Sequence, residues 1–326
     1  MLNPDLKLNQ NIFKPDVAQA ATREGYGEGL LLAGRADVNV VALCSDLTKS
    51  TQMDLFAKEF PARFIETGVA EQNMASVASG MAAMGKIPFI ASYAMFSPGR
   101  NWEQIRTTIC YNGTNVKIAG AHAGISVGPD GGTHQALEDI ALTRVIPKMT
   151  VIYPCDAIEA KKATLAAAKI KGPVYIRLAR EKTPVITTPE TPFGIGQSEI
   201  YWQGTNPKVG IIATGPLLYN ALLAAHELDK EGISVSVMNL ATIKPLPEAD
   251  IVHFAESVQG IVTVEEHQIA GGMGSAVAEV LAQARPTKIA FIGVRDQFGQ
   301  SGTPDELLTH YGMGVTHIKE AVKKLI

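Results

Sequence analysis

Short unbroken apolar runs alternate along most of the chain with longer segments of helical spacing. Runs at 38–44, 63–66, 88–92, 115–121, 150–153 and 173–178 predict strands buried on both faces. The segments between them predict helices at 16–35, 71–85, 100–111, 135–145 and 156–171. Strands alternating with helices of this length predict an α/β fold, a mostly parallel sheet with helices on both faces. Residues 183–207 break the pattern, because Pro184, Pro189, Pro192 and Pro207 interleave with Thr and Gly as in an interdomain connection. A second α/β pattern follows, with strands at 209–214, 234–239, 260–265 and 288–294 and helices at 216–231, 247–257 and 272–284. Two more helices are expected within 303–326. The expected organisation is a first domain at 1–185, a linker at 186–207 and a second domain at 208–326.

Composition narrows the class. With 326 residues, 46% hydrophobic and 19% charged, the chain has enough apolar surface for two packed domains and is not a disordered chain. A net charge of −3 with mixed signs offers no basic surface for nucleic acid and no polybasic membrane patch. No run reaches the roughly 18 apolar residues of a membrane span, and residues 1–13 lack the pattern of a signal peptide. Cys44, Cys110 and Cys155 are far apart, lack metal-ligand spacing and lie in or beside apolar runs. Buried reduced thiols in a cytoplasmic protein are the expectation.

Candidate chemistry gathers in the loops of the first domain. In a parallel sheet, ligands bind beyond the carboxyl ends of the strands, and the loops expected there carry Asp46, Ser50, Glu71, His122, Asp130, His134 and Arg180. Glu71 falls in the first turn of the helix predicted at 71–85. Two accounts of it are open: a dry carboxylate able to hold or share a proton, or a solvated acid that only stabilises its helix. In the second domain, Gly271-Gly272-Met273-Gly274 lacks the spacing of a dinucleotide fingerprint and reads as tight strand-to-helix packing. Glu265, Glu266 and His267 alternate across a strand, so a charge cluster at a strand end is expected rather than a metal site.

Three stretches carry a resemblance to a known family. Gly68-Val69-Ala70-Glu71-Gln72-Asn73-Met74, Tyr93-Ala94-Met95-Phe96 and His122-Ala123-Gly124-Ile125-Ser126-Val127-Gly128-Pro129-Asp130-Gly131-Gly132-Thr133-His134-Gln135 resemble the pyrimidine-binding half of transketolase. The frame from His122 to His134 is highly specific, whereas the Ala-Glu-Gln turn alone is weak. The resemblance extends from about residue 16 to the C-terminus and includes the transketolase C-terminal domain. It implies a thiamine-diphosphate pyrimidine-binding fold followed by that domain, with thiamine diphosphate as cofactor. It assigns Glu71 to the pyrimidine ring nitrogen, where sharing a proton favours the imino tautomer that activates the thiazolium carbon. Phe96 and Trp102 match positions that pack on the aminopyrimidine, and Asp46 matches an acid near the cofactor at a subunit interface. From the residues alone, Trp102 could equally be a helix core residue and Asp46 a loop cap. Gly99 departs from the family, falling where transketolases often carry a second phenylalanine.

On the substrate side, Asp130 resembles the acid that receives a sugar hydroxyl, and His134 the histidine beside the reacting carbonyl. Ser50, His122 and Arg180 match the positions that hold the sugar phosphate. The implied reaction transfers a two-carbon ketol unit from a ketose phosphate to an aldose phosphate, as in the pentose phosphate pathway. Transketolases bind the diphosphate and Mg2+ through a Gly-Asp-Gly motif and later asparagines on a preceding domain. The similar run here, Pro129-Asp130-Gly131-Gly132, belongs to the His122 frame, so no metal ligand is expected in this chain. The chain begins near the start of the pyrimidine domain and therefore resembles the C-terminal subunit of a split transketolase. A separate N-terminal subunit should supply the diphosphate site and Mg2+ in an α2β2 assembly. A 2-oxo acid dehydrogenase β subunit would lack the Asp-Gly-x-Thr-His-Gln frame. A deoxyxylulose phosphate synthase typically carries arginine where His122 stands. A non-catalytic scaffold subunit is opposed by the intact Glu71, Asp130, His134 and Arg180, while Lys49 and Gly99 leave a modified or sulfonated sugar open.

Overall fold

The computed structural model describes residues 1–326. In chain order the strands are β1 (Gln19–Ala21), β2 (Val40–Cys44), β3 (Phe64–Glu66), β4 (Ile87–Tyr93), β5 (Lys117–Ala121), β6 (Thr150–Ile152), β7 (Val174–Arg177), β8 (Lys182–Pro184), β9 (Glu199–Trp202), β10 (Val209–Ala213), β11 (Val235–Asn239), β12 (Thr242–Lys244), β13 (Gly260–Gln268) and β14 (Lys288–Val294). They form a seven-stranded sheet in the order β12-β6-β7-β5-β4-β2-β3, a five-stranded sheet in the order β14-β13-β10-β11-β9, and a β1-β8 ribbon. Pairing is parallel in both large sheets except at one edge of each, where β12 meets β6 and β9 meets β11 antiparallel. The inner strands β2, β5 and β10 are buried at every position, which explains their unbroken apolar runs.

Glycine and alanine bring the helices close to one another. The helix Thr22–Ala36 crosses the helix Ala157–Lys169 so tightly that a Cβ on Gly25 would lie 1.8 Å from Ala157 O. Asp156 caps the second of these helices by accepting the Glu159 N–H at 2.8 Å, and also takes the amides of Ile186 and Thr187. Burial, reinforced by the like charge of Asp156, drives the neighbouring Glu159 carboxyl up to about 7. No helix is long and apolar enough to cross a membrane.

Several elements depart from the periodicity. The helix expected from 16 begins at Thr22, because residues 19–21 pair with β8 instead. The stretch 100–111 is a short helix, Trp102–Gln104, that continues as the π-helix Ile105–Tyr111. The helix expected at 135–145 contracts to Asp139–Arg144, since Gln135 and Ala136 are tied to the loop before them. Residues 199–202, inside the expected linker, form the strand β9 of the second sheet.

The two halves are interlocked. Strand β12 lies beyond the second domain's first strands yet pairs with β6 of the first sheet. Leu6, Leu8 and Ile12 pack into the core formed by the second domain's helices. Another core of 29 buried residues runs from Leu43 and Met74 to Phe254 and Met273. The charge cluster expected at a strand end is instead interior: Glu265, Glu266 and His267 are 1%, 2% and 0% exposed. Glu265 is satisfied by the amides of Met273 and Gly274, at 2.6 and 2.8 Å, at the start of the helix Met273–Ala284. A Cβ on Gly272 would lie 2.2 Å from that carboxylate, so the glycine run permits the close approach.

Candidate active site

Strand β3 ends at Glu66, and Gly68, at φ +67°, turns the chain into the helix Glu71–Ala83. Glu66 fixes this turn by accepting the amides of Gly68 (3.1 Å) and Asp46 (2.7 Å) and the Thr48 hydroxyl (2.9 Å). Glu71 is the first helical residue and is 1% exposed, so it is not a solvated helix-end acid. Its Oε1 accepts the Ser92 hydroxyl at 3.0 Å, and its Oε2 accepts Arg100 Nη1 at 2.5 Å. Asn101 Nδ2 donates to the Glu71 carbonyl at 3.1 Å, tying the next segment to the same turn.

Arg100 reaches this carboxylate from the open side. Its side chain is 42% exposed, and its guanidinium lies 4.6 Å from the centre of the Phe96 ring. A flat N–H-bearing group therefore stacks on Phe96 and donates to Glu71 in one place. That is the donor and acceptor chemistry an aminopyrimidine requires, so these residues fit the cofactor implied by the resemblance. At Gly99 a Cβ would lie 1.9 Å from Met95 O, so this backbone has no room for a second aromatic residue. Trp102 points its indole N–H at Leu142 O, 2.8 Å away, and packs against the core. Asp46 is exposed at φ +59° on the Glu66-bound turn.

The loop after β5 supplies the histidines. His122 is buried, and its ring stacks on Tyr93 with centroids 4.0 Å apart. His134 meets Phe96 edge-on at 5.6 Å, and its Nδ1 lies 3.0 Å from Thr133 Oγ1. Phe96 thus links the Glu71 pair to the His134 side of the site. Burial, reinforced by the charges of Arg23, Arg180 and His134, pushes His122 down to about 3, so its ring is neutral near pH 7. Its Nδ1 is buried without a hydrogen-bond partner.

Arg180 donates to Val127 O at 2.6 Å and approaches Asp130 Oδ1 at 3.4 Å, so the structure brings these two expected substrate residues together. Ser50 is joined to them by a residue that sequence reasoning missed. Arg23 donates to Ser50 O at 2.9 Å and to Arg180 O at 3.0 Å, bridging two loops that are 130 residues apart. Arg23 sits one residue into a helix, where nothing in the local pattern marks it. Ser92 and Arg100 were missed for the same reason, since only the tertiary fold sets them on Glu71.

The family described as "Transketolase, pyrimidine binding domain" matches residues 18–185, and "Transketolase, C-terminal domain" matches residues 198–318. A protein of Methanocaldococcus jannaschii, provisionally named a transketolase C-terminal section, is 46% identical over 93% of this chain and 96% of its own. A 6-deoxy-6-sulfo-D-fructose transketolase subunit of Clostridium sp. (strain MSTE9) is 38% identical over 96% of this chain and 97% of its own. Rattus norvegicus transketolase is 39% identical over 94% of this chain, which spans 49% of that enzyme. Among solved structures, a split-gene transketolase described as an inactive β4 tetramer matches with a TM-score of 0.87 and 44% identity, over 94% of this chain and 98% of the other. Transketolase from Campylobacter jejuni matches with a TM-score of 0.81 over 97% of this chain and 50% of its own; at 22% identity that likeness concerns the fold alone.

Proposed function

Because this chain belongs to the transketolase family, with that family's pyrimidine-binding and C-terminal domains in order, we propose that it is the C-terminal subunit of a split transketolase, active only with an N-terminal subunit. The pairing of a buried carboxylate with a stacked cation carries this reading: Glu71 is held in the dry, yet Arg100 reaches it from solvent across Phe96. Thiamine diphosphate, when bound, supplies the carbon nucleophile and electron sink that ketol transfer requires. Glu71 and Phe96 would hold its pyrimidine, with Trp102 supporting that wall from the core side and Asp46 lying at the edge that the partner subunit covers. Glu71 would hold or release a proton at the pyrimidine nitrogen. Mg2+ and the diphosphate would be held by the N-terminal subunit in an α2β2 assembly.

Substrate handling falls to the loop residues. His134 is assigned to the reacting oxygen, where it stabilises developing negative charge or relays a proton. Asp130 receives a sugar hydroxyl. Arg180, Ser50 and the neutral His122 bind the anionic end of the sugar, and Arg23 adds a second guanidinium. His122 suits this task as a neutral donor, because two arginines already supply the charge. A sugar phosphate is the proposed substrate. The Clostridium relative is named for a sulfonated ketose and matches over nearly its whole length, so a sulfonate-bearing sugar is the second reading.

The test is reconstitution. The purified chain is expected to show no ketol transfer, and the N-terminal subunit, thiamine diphosphate and Mg2+ together to restore it. Substantial turnover by the chain alone would refute the split-subunit reading. A donor screen with phosphorylated and sulfonated ketoses separates the two substrate readings.

A further inference from the structure

Among the contacts that the second domain makes with the substrate loop, one is made by a buried carboxylate. Glu266, on β13 and 2% exposed, accepts the Ser126 amide on Oε1 and the Tyr153 hydroxyl on Oε2, the latter at 3.5 Å. Its carbonyl accepts Arg177 Nη2 at 2.9 Å. Arg177 is fully buried over the Tyr153 ring and is held by Asp139 through Nε at 2.8 Å and Nη2 at 3.1 Å. Glu266 therefore stands between a fixed cation and a loop amide. The loop is shaped to receive it: Gly124 has φ +92°, and a Cβ there would come within 2.4 Å of Glu266 Oε1.

The Ser126 amide lies in the turn Ile125–Asp130, which follows His122 and ends in Asp130. Val127 O of the same turn accepts Arg180. Positive-φ glycines at 124, 128 and 131 give this segment little conformational preference of its own, so external contacts must hold it. Gln135 supplies one by donating to Ile125 O at 3.0 Å and to Gln300 O at 2.9 Å. Glu266 supplies the charged one.

We propose that Glu266 is a positioning residue of the C-terminal domain, which holds the Ser126 amide and so sets His122, Asp130 and Arg180 around the anionic end of the substrate. The substrate's identity rests on the function proposed above; the brace itself does not. A hydrogen bond to a charged acceptor corresponds to about a ten- to hundredfold change in a local opening equilibrium. Glu266→Ala should therefore speed hydrogen exchange of the segment 122–131 in the lone chain by about that factor, while exchange in β4 and β10 stays within about threefold. In the reconstituted complex, the KM for a phosphorylated ketose should rise about tenfold or more, with kcat and the thiamine diphosphate Kd within about threefold. Glu266→Gln, which keeps the shape but offers the Ser126 amide a neutral acceptor, should show the same two changes at a smaller size, about three- to tenfold, and stands as the test where the alanine variant fails to fold. Unchanged exchange at 122–131, or a uniform rise across the chain, overturns the brace. Faster local exchange with an unchanged KM overturns the positioning role. A wild-type complex inactive on every phosphorylated ketose, with the local exchange change intact, counts against the substrate reading instead.

Discussion

Replacement of Glu71 by alanine separates a catalytic carboxylate from a structural one. Deleting it leaves the Ser92 hydroxyl, 0% exposed, without its acceptor, which costs about 1–3 kcal/mol. Arg100 loses its salt bridge, but its side chain is 42% exposed and turns to water, so that loss adds little. The desolvation cost of the carboxylate itself is relieved, and the Asn101 bond to the Glu71 carbonyl survives. The net change is about 1 kcal/mol, or roughly 1–2 °C in the Tm of a chain this long. A proton-handling group, in contrast, contributes about 10²–10⁴ in rate, equivalent to roughly 3–6 kcal/mol of barrier. The assay compares Tm by calorimetry, assembly by size-exclusion chromatography and turnover of the reconstituted complex. Glu71→Ala should melt and assemble nearly as the wild type does, with turnover reduced about a thousandfold. Turnover within about tenfold of wild type would refute the assignment of Glu71.

Arg180→Ala should raise the KM for phosphorylated sugars by about tenfold or more while changing kcat little; an unchanged KM would point to a substrate without an anionic end. Arg100→Ala leaves the buried Glu71 without its charged partner and should lower the Tm of the lone chain by roughly 1–2 °C after allowance for the exposure of Arg100; an unchanged Tm would mean the pair is not formed in solution. Burial holds the His267 imidazole at about 4, below its ordinary 6.5, so the unfolded chain takes up this proton first as pH falls. The contribution of His267 is therefore fully present above about 6.5 and is lost as pH falls toward 4. His267→Asn removes that dependence and should gain about 3 kcal/mol relative to wild type between pH 7 and 4, read by urea unfolding; parallel pH curves for the two proteins would show that His267 is not held neutral.

Much of the architecture was legible because parallel strands covered on both faces write continuous apolar runs, as β2, β5 and β10 do. The elements that were missed are short and are set by partners far along the chain. Strand β12 exists because β6 offers an open edge, and β1 because residues 182–184 lie beside it. The helix expected at 135–145 lost its first turn because Gln135 is spent on Ile125 O and Gln300 O, and the second of these is 165 residues away.

The candidate site divides in the same way. The frame from His122 to His134 could be read from the sequence, because its glycines and polar residues are closely spaced along the chain and make up one loop. The sequence by itself determined that loop, the alternating strands and helices, and the identity of Glu71 as a first-turn carboxylate. Only the tertiary structure decided that Glu71 is buried and paired with Arg100, that Arg23 joins Ser50 to Arg180, and that Glu265, Glu266 and His267 are interior. The physical reason is that periodicity records which face of an element meets apolar neighbours, whereas the partner of a buried charge is fixed by distances between segments remote in the chain.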